Sequence, residues 1–284
     1  MVVECAPMAG YTNAEFRRVL ITCGASTVYT EMVSAAAIFY GNKKTLKLLE
    51  RATDYTSNGT HPREIVQLFG HKVEHFVFAI KNGYCDGFDE ININMGCPAN
   101  KIIKNNEGVA LMTREAGNIE RQEREDMVAD VDGGWGRARE IITACVGVSR
   151  VPVSVKMRLG KTVGCDYVAF AKMCENAGAS RLIVHGRYGS QGYSGTTNWG
   201  AIGEIVRAVK IPVIANGDIR CAGDAVRCIA ETGAVGVMVG RALLPLYKKY
   251  FSGNLRIIRG EKICRDGGIG VNINNILELL GGRV

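Results

Sequence analysis

The sequence lacks a C-x-x-C pair and any long uninterrupted apolar run. It has ten cysteines among 284 residues, and without such a pair free thiols in a reducing cytosol are the simplest interpretation. Charges or turn residues interrupt every apolar run well short of the roughly 20 residues that a membrane span needs. We find no charged-then-apolar signal segment. These absences predict a soluble cytoplasmic protein that does not associate with membranes.

The sequence also has no repeat of fixed period and no G-x-G-x-x-G after its first strand-like run, which counts against a dinucleotide-binding fold. It does have a hydrophobic fraction of 47% and a length that α/β barrels reach as one domain. Lysine and arginine total 35 against 28 acidic residues. The resulting net charge of +7 is compatible with a polyanionic partner without requiring one.

Eight short apolar or β-branched runs alternate with segments of helical spacing. The predicted strands are Val2–Met8, Thr27–Thr30, Glu64–Leu68, Asp89–Met95, Pro152–Met157, Arg181–His185, Pro212–Ala215 and Val235–Val239. The predicted helices are Ala14–Thr22, Lys43–Leu49, Lys72–Lys81, Gly136–Val146, Tyr167–Ala177, Ala201–Val209 and Ala222–Glu231. Because such units pair in parallel through right-handed crossovers, they predict an α/β fold, a (β/α)8 TIM barrel, with a doubly wound open sheet as the alternative.

One segment interrupts this alternation. From Thr113 to Trp135 the chain is dense in charges of both signs and poor in apolar residues. A solvated insertion at about 113–135 explains this composition better than a functional charge cluster does. We therefore expect the segment to lie on the surface of the barrel.

Polar or conformationally special residues follow every predicted strand. Catalytic groups of a barrel project from the carboxyl ends of its strands, so these positions are candidates for a site. In chain order they are Pro7–Met8, Glu31, Gln67, Asn94 with Cys97, Lys156 with Arg158, His185 with Arg187, Asn216–Asp218 and Gly240–Arg241. A single histidine or lysine at a strand end is usually structural or solvated, but polarity at eight ends in register predicts an active site.

The last two strands end in glycine, at Gly217 and Gly240. Glycine lets backbone N–H groups approach a phosphate, and the loops after strands 7 and 8 are the usual phosphate site of this barrel. Tight turns alone would explain the glycines. They would not explain Arg241 directly after one of them, where a guanidinium adds a charge-assisted fork.

Cys97 lies between Gly96 and Pro98, after the run ININM. Glycine permits unusual dihedral angles and proline fixes the next φ, so the turn holds and aims the thiol. No zinc-ligand spacing surrounds it, and no metal site is predicted. A nucleophile activated by His185 and a proton donor with a pKa near or above neutrality both fit. A buried small hydrophobe describes most of the other cysteines better than this one.

Eight motifs occur in the order found in a known family. They are APMAGYTNAEFR (6–17), VYTEMVSA (28–35), VQLFG (66–70), ININMGCP (91–98), VKMRLG (155–160), VHGRYGSQGYSG (184–195), IPVIANGDI (211–219) and GVMVGR (236–241). Together they resemble the motifs of tRNA-dihydrouridine synthases, most closely the bacterial B-type branch, over about residues 4–245. The resemblance implies an FMN-dependent enzyme that reduces the C5=C6 bond of a particular tRNA uridine to dihydrouridine, with NADPH recharging the flavin.

The resemblance also implies roles for individual residues. Flavin contacts are implied for Pro7, Met8 and Ala9 at the ring, Gln67 at its pyrimidine edge, Lys156 near N1/O2, His185 beside flavin or substrate, and Asn216, Gly217, Asp218, Gly240 and Arg241 around the ribityl chain and phosphate. Cys97 matches the family's proton donor. A hydride from flavin N5 would then reach C6 of uracil, and a proton from Cys97 would reach C5.

RNA contacts are expected on the same basis. Asn94 is expected to orient the uracil. Arg158, Arg187, Lys101 and Lys104 are expected to meet the RNA backbone, where each phosphate contact adds salt-sensitive affinity. The target base must leave its stack to reach a flavin at the barrel mouth, so base flipping is expected.

The chain departs from the family pattern in three places. Tyr188 stands where threonine is expected, the insertion at 113–135 lengthens the middle of the chain, and ALLPLYKKYF follows Arg241. The tail is short for the C-terminal helical domain with which the family grips tRNA. We therefore expect a catalytic barrel over 1–245 and a short, truncated helical extension over 246–284 with reduced tRNA binding.

Two other functions are compatible with the same barrel. A dihydroorotate-dehydrogenase-like flavoprotein would share FMN and a pyrimidine substrate, but the positive charge and the combined His-Gly-Arg and Gly-Cys-Pro motifs disfavour it. A non-catalytic RNA-binding barrel would have no physical need for Cys97, Lys156, His185 and the phosphate loops together. The sequence does not define the oligomeric state, and a monomer is the working expectation.

Overall fold

The computed structural model describes residues 1–52, 62–113 and 133–252, together with the backbone of two short strands between 255 and 264. One parallel sheet contains β1 Val2–Cys5, β2 Thr27–Ser34, β3 Arg63–Phe69, β4 Glu90–Met95, β5 Val153–Met157, β6 Leu182–His185, β7 Val213–Asn216 and β8 Gly236–Val239. Each strand overlaps one of the eight runs predicted from the sequence.

The sheet curls into a nearly closed barrel. Hydrogen-bonded neighbours follow the order β1-β8-β7-β6-β5-β4-β3-β2, and β1 pairs with β8 from Val2 opposite Gly236 to Cys5 opposite Val239. Pairing of the first strand with the last excludes the doubly wound open sheet. At the remaining seam, the Tyr29 hydroxyl on β2 donates to Glu4 Oε2 on β1 at 2.7 Å. The predicted (β/α)8 barrel is confirmed.

Helices surround the barrel. In the described ranges they are α1 Ala14–Thr22, α2 Ala35–Phe39, α3 Lys43–Leu46, α4 Val73–Lys81, α5 Asn100–Lys104, α6 Gly134–Val148, α7 Tyr167–Asn176, α8 Trp199–Ala208, α9 Ala222–Thr232 and α10 Leu244–Phe251. The side chains of Asn13, Asp166 and Asn198 accept a backbone N–H at the start of α1, α7 and α8. These caps explain why the helices begin there. The short helices α2 and α5 were not predicted, and most of α10 lies in the extension that was expected to be helical over 246–284.

The β4 sequence EININM shows how the strands divide their side chains between two environments. Ile91, Ile93 and Met95 pack in the large core cluster between sheet and helices. Successive strand side chains point to opposite faces, so Glu90, Asn92 and Asn94 face the barrel interior. A smaller apolar cluster there contains Ala6, Tyr29, Ile65, Ile183, Ile214 and Met238. The barrel interior is therefore partly apolar and partly polar.

Two strand ends differ from the sequence prediction. β1 stops at Cys5 instead of Met8 because Pro7 has no N–H and Met8 begins a turn, with its carbonyl accepting from the N–H groups of Tyr11 and Thr12. β2 continues to Ser34 instead of ending at Thr30, because the register shifts between Tyr29 and Met32 and pairing with β3 then resumes. Both changes alter which residues reach the barrel mouth.

The C-terminal extension predicted over 246–284 lies mostly outside the described residues. Its described part contains most of α10 and an antiparallel hairpin, β9 Leu255–Ile258 and β10 Glu261–Cys264, which the sequence did not predict. The predicted insertion at 113–135 also lies largely outside the described ranges. Among the described helices, none combines the length and apolar character that crossing a bilayer requires.

Candidate active site

The carboxyl ends of the strands surround a cavity of about 590 Å³. The predicted residues that line it are Pro7 and Met8 after β1, Asn94 and Cys97 at β4, Lys156 and Arg158 at β5, His185 on β6, Asn216, Gly217 and Asp218 at β7, and Gly240 and Arg241 after β8. A cavity of this size is in the range that holds a small-molecule ligand or cofactor. Barrel closure thus brings residues from both ends of the chain to one wall.

The other predicted site residues lie away from the cavity surface. Gln67 and Arg187 are buried, with 0% and 1% exposure. Ala9 is exposed on the loop after β1. Lys101 and Lys104 are exposed on α5, the short helix that follows the Cys97 turn. The two lysines therefore lie on the surface beside the Cys97 turn and do not line the cavity.

The backbone around Cys97 is held from two sides. Asn94 Oδ1 accepts hydrogen bonds from the N–H groups of Gly96, at 3.1 Å, and Cys97, at 2.9 Å. The Cys97 carbonyl accepts from Val109 N–H at 3.1 Å. A Cβ at Gly108 would lie 2.6 Å from this carbonyl, so only glycine permits so close a support. The turn has little freedom to redirect the thiol.

Cys97 is a partly exposed free thiol in the cavity wall. Burial raises its pKa, and the backbone of Ala99 and the charges of Arg158 and Lys156 offset only part of that effect. The thiol is therefore protonated at neutral pH. A protonated thiol can donate a proton, whereas a nucleophile would need the thiolate. The chemistry of the site favours the proton-donor alternative.

His185 is a neutral imidazole of defined tautomer. Burial, together with the charges of Lys156, Arg158 and Arg187, lowers its pKa to about 2. Arg187 Nη1 lies 3.2 Å from His185 Nε2. Because a guanidinium can only donate, Nε2 is the acceptor and Nδ1 carries the proton. His185 is too weak a base to activate Cys97, but its Nδ1–H can donate a hydrogen bond.

Arg187 is the centre of a buried hydrogen-bond cluster. Its guanidinium donates to the carbonyl oxygens of Ser194 and Gly195, to Thr197 Oγ1 and to Asp218 Oδ2, at 2.7–3.2 Å. The side chain is 1% exposed. The expectation that Arg187 meets the RNA backbone is therefore not met, because its donors already organise the loop after β6.

Asp218 directs its carboxylate at three arginines, Arg187, Arg241 and, at 4.0 Å, Arg220. Burial alone would raise the pKa of Asp218, but hydrogen bonds from Arg187 and Thr197 hold it at about 2. The second oxygen, Oδ1, accepts from Arg241 Nη2 at 3.2 Å. The residue has a φ of +56°, which is uncommon outside glycine. Asp218 thus positions the Arg241 cation at the cavity instead of facing an anion itself.

Gly217 and Gly240 are glycines for different reasons. Gly217 has a φ of +119°, and a Cβ there would lie 2.4 Å from Thr197 Oγ1 and 2.9 Å from His185 Cδ2. The protein itself therefore requires glycine at this position. A Cβ at Gly240 would meet only Ala6 Cβ, at 3.6 Å. The space beside Gly240 is open, as is needed where backbone approaches a ligand.

Lys156 is a partly buried amine. Burial, together with the Arg158 charge, lowers its pKa to about 7. Its Nζ donates to Asn216 Oδ1 at 2.9 Å, and Asn216 is oriented by its own donation to the Met238 carbonyl at 2.8 Å. An anion beside Nζ would favour the ammonium form. Lys156 can therefore gain a proton when a negatively charged ligand binds.

The charges of the cavity wall favour an anion. Lys156, Arg158, Arg220 and Arg241 line it against the single carboxylate of Asp218. His185 adds no charge, because its pKa is about 2. A ligand that carries phosphate is therefore electrostatically matched to the wall.

Several residues of the cavity wall were not predicted as site residues, among them Met32, Tyr193 and Arg220. Tyr193 is 64% exposed, and its ring centre lies 5.0 Å from the guanidinium carbon of Arg241 and 5.9 Å from that of Arg158. Both distances are suitable for cation–π contacts. Met32 and Tyr193 belong to the motifs VYTEMVSA and VHGRYGSQGYSG, so motif membership was the available signal.

Comparison with known proteins agrees with this geometry. The family model described as Dihydrouridine synthase (Dus) matches residues 4–132 and 133–246, most of the chain. The chain belongs to the dihydrouridine synthase family. The resemblance predicted from the eight motifs is thereby confirmed.

Curated relatives extend the match. "Probable tRNA-dihydrouridine synthase 1" of Synechocystis sp. is 36% identical over 244 residues, which cover 84% of this chain and 60% of the relative. "tRNA-dihydrouridine synthase B" of Xanthomonas axonopodis pv. citri is 34% identical over 248 residues, which cover 84% of this chain and 65% of the relative. The chain therefore spans less than two thirds of the length of these relatives.

Solved structures show the same fold at low identity. A 2-naphthoyl-CoA reductase matches with a TM-score of 0.60 and 13% identity, covering 88% of this chain and 50% of that one. An old yellow enzyme homologue from Zymomonas mobilis matches with a TM-score of 0.57 and 12% identity, covering 89% and 88%. At these identities the likeness establishes the barrel architecture alone.

Proposed function

We propose that the protein is a tRNA-dihydrouridine synthase, which reduces the C5=C6 bond of a specific uridine in tRNA with FMN as cofactor and NADPH as reductant. Family membership supports the reaction, and the names of the relatives supply the tRNA substrate. The structural observation that carries the proposal is a protonated Cys97 thiol in a cavity with a cationic wall. A cytoplasmic location and a monomeric state are further expectations from the sequence.

The cavity residues fit FMN. Arg241 and the open backbone at Gly240 would hold the phosphate, and Pro7 and Met8 would pack against the ring. Lys156 would stand near the N1/O2 edge, where the proton it gains balances negative charge. When bound and reduced by NADPH, the flavin supplies the hydride that C6 of uracil accepts. His185 would offer its Nδ1–H to the flavin or the substrate.

Cys97 would supply the proton for C5 of uracil. The S–H bond breaks as the C5–H bond forms, and the hydride at C6 completes the saturation of the double bond. The charge left on sulfur is stabilised by Arg158 and Lys156, both of which lower the thiol pKa. Asn94 lines the same wall and would face the uracil while its oxygen holds the Cys97 backbone.

The RNA would approach over the rim beside α5. Lys101 and Lys104 are exposed there and would meet the backbone, each contact adding salt-sensitive affinity. Arg158 is 3% exposed and donates to the carbonyls of Tyr188 and Gly192 at 2.9 Å, so it would contact only a group that enters the cavity. A uridine that reaches Cys97 must be flipped out of its stack.

The visible spectrum of the purified full chain tests the proposal. We expect a flavin spectrum that NADPH bleaches and that unmodified tRNA restores, with dihydrouridine then detected in the tRNA by mass spectrometry. A colourless protein would overturn the proposal. So would reoxidation by free orotate but not by tRNA, which is the outcome expected of a dihydroorotate-dehydrogenase-like enzyme.

Cys97→Ala tests the proton transfer. The variant is expected to retain flavin and its reduction by NADPH, while dihydrouridine formation falls by about 10²–10⁴-fold, the usual contribution of a general acid. Cys221→Ala removes another partly exposed thiol and is the matched control, with normal turnover expected. Normal turnover by Cys97→Ala would exclude the thiol from the reaction.

A further inference from the structure

A chain of hydrogen-bonded, buried polar side chains, here called the file, runs through the barrel interior. It begins at Glu90, at the amino end of β4, whose carboxylate accepts from Ser154 Oγ. Asn92 Nδ2 donates to Ser154 Oγ at 2.7 Å, and Gln67 Nε2 donates to Asn92 Oδ1 at 2.6 Å. Each of these four side chains is at most 1% exposed. Water therefore has little access to this part of the file.

The file continues to the turn that carries Cys97. Asn94 Nδ2 donates to Gln67 Oε1 at 2.9 Å, and Asn94 Oδ1 accepts from the N–H groups of Gly96 and Cys97. We name the set Glu90, Ser154, Asn92, Gln67 and Asn94 the amide relay. The amide relay connects the amino end of β4, on the far side of the barrel from the cavity, to the cavity wall through side chains alone.

Every donor in the amide relay points the same way. A carboxylate can only accept, so the Ser154 hydroxyl hydrogen points at Glu90 and its lone pairs face Asn92. A backbone N–H can only donate, so Asn94 presents its oxygen to Cys97. With both ends defined, one orientation of each amide satisfies the whole file. Reversing any amide would set donor against donor or acceptor against acceptor.

Arginines hold the Glu90 end in place. Arg181 Nε donates to the two Glu90 oxygens at 2.9 and 3.0 Å, and Arg63 Nη2 donates to one of them at 2.8 Å. Arg181 also donates to the Tyr29 hydroxyl at 2.8 Å. Such buried charge-assisted bonds are costly to break. The Glu90 end of the amide relay is therefore held in place by charge-assisted hydrogen bonds from two arginines.

We propose that Glu90, Ser154 and Asn92 are positioning residues for the reaction, because they determine which way the Gln67 and Asn94 amides face and so where the Cys97 thiol points. The proposal rests on the proposed function in assigning the proton transfer to Cys97. Without the Ser154 hydroxyl, Asn92 loses its acceptor and the amides above it lose their defined orientation. A reversed Asn94 would turn its own N–H₂ group against the turn and displace it.

Alkylation of Cys97 measures the geometry of the turn without any turnover. Full-length protein is treated with iodoacetamide, and peptide mass spectrometry gives the labelling ratio of Cys97 to Cys221, another partly exposed thiol, in the same sample. In Ser154→Ala we expect this ratio to change by roughly two- to tenfold, the weight of one hydrogen bond in an equilibrium. We expect kcat for dihydrouridine formation to fall by a similar factor with KM for tRNA unchanged.

Two controls separate positioning from a general loss of structure. Ser154→Thr and Ser154→Val have similar volumes, but only threonine keeps the hydroxyl, so threonine alone is expected to restore the labelling ratio and kcat. Glu4→Gln removes the other carboxylate that Arg181 binds, and in the described hydrogen bonds Glu4 accepts from no relay residue. This variant is expected to lower Tm while keeping the wild-type ratio and kcat.

The outcomes distinguish this proposal from the proposed function. An unchanged labelling ratio in Ser154→Ala, or equal effects of Ser154→Thr and Ser154→Val, would overturn the positioning role. A changed ratio with an unchanged kcat would overturn it as well. If the labelling ratios differ between wild type and variants as expected but wild-type protein forms no dihydrouridine, the proposed function is refuted. The link from Ser154 to Cys97 would still hold.

Discussion

Replacing Gly217 with alanine adds a single methyl group at the most crowded glycine of the cavity wall. The new Cβ would lie 2.4 Å from Thr197 Oγ1 and 2.9 Å from His185 Cδ2, at a φ of +119°. A left-handed conformation costs a non-glycine residue about 1–2 kcal/mol, and overpacking a buried site adds about 1–3 kcal/mol. We therefore expect Gly217→Ala to lower the free energy of unfolding by about 2–5 kcal/mol.

Urea unfolding of the full chain, followed by circular dichroism, measures this loss. Gly164→Ala is the matched control, because Gly164 has a φ of +93° and no heavy atom within 4 Å of a built Cβ. Gly164→Ala should lower the free energy of unfolding only by the backbone contribution, about 1–2 kcal/mol. Equal losses in the two variants would refute the argument that Thr197 and His185 exclude a side chain at Gly217.

Two further predictions concern the protons of the cavity. Burial lowers the pKa of Lys156 to about 7 from its ordinary 10.5. Between these two pH values the unfolded chain therefore binds more protons than the folded protein does. The free energy of unfolding of the flavin-free protein should rise with pH across that range. Lys156→Met should raise the free energy of unfolding at pH 7 by roughly 1–3 kcal/mol. Urea titrations at pH 7 and pH 9 should then show a smaller increase of stability with pH than the wild type shows. A less stable variant would contradict this. The His185 ring protons should show no titration by NMR between pH 5 and 8, because the pKa is about 2. A midpoint near 6.5 would contradict the argument that burial and the neighbouring cations lower this pKa.

The residues that could be predicted from the sequence are those whose position follows from their own strand. Lys156, His185 and Asn216 stand at strand ends, and parallel strands in a barrel end at one face, so their convergence on one cavity follows from local pattern and handedness. The Gly-Cys-Pro turn could be recognised in the same way, since its stiffness is a property of three adjacent residues.

Interactions that depend on distant partners could not be predicted. Arg187 was expected to meet the RNA backbone, but its acceptors include Asp218, 31 positions later, which the pairing of β6 with β7 brings near. Arg181 and Glu90 are 91 positions apart and form the buried cluster at the closed end. No local pattern specifies such pairs. The extra length of β2 likewise depends on a register shift against β3.

The amide relay also decides how the strands are staggered. Asn92 stands opposite Ser154 across β4 and β5. Strand side chains alternate with a period of two, so sliding β4 by two residues would keep Ile91 and Ile93 facing the helices, and apolar burial would not distinguish the two alignments. The hydrogen bonds would distinguish them, because Ser154 could no longer reach both Glu90 and Asn92. The stagger of strands sets the shear and the width of a barrel, so the side chains that hold the Cys97 turn also favour the alignment that sets the width of the mouth it faces.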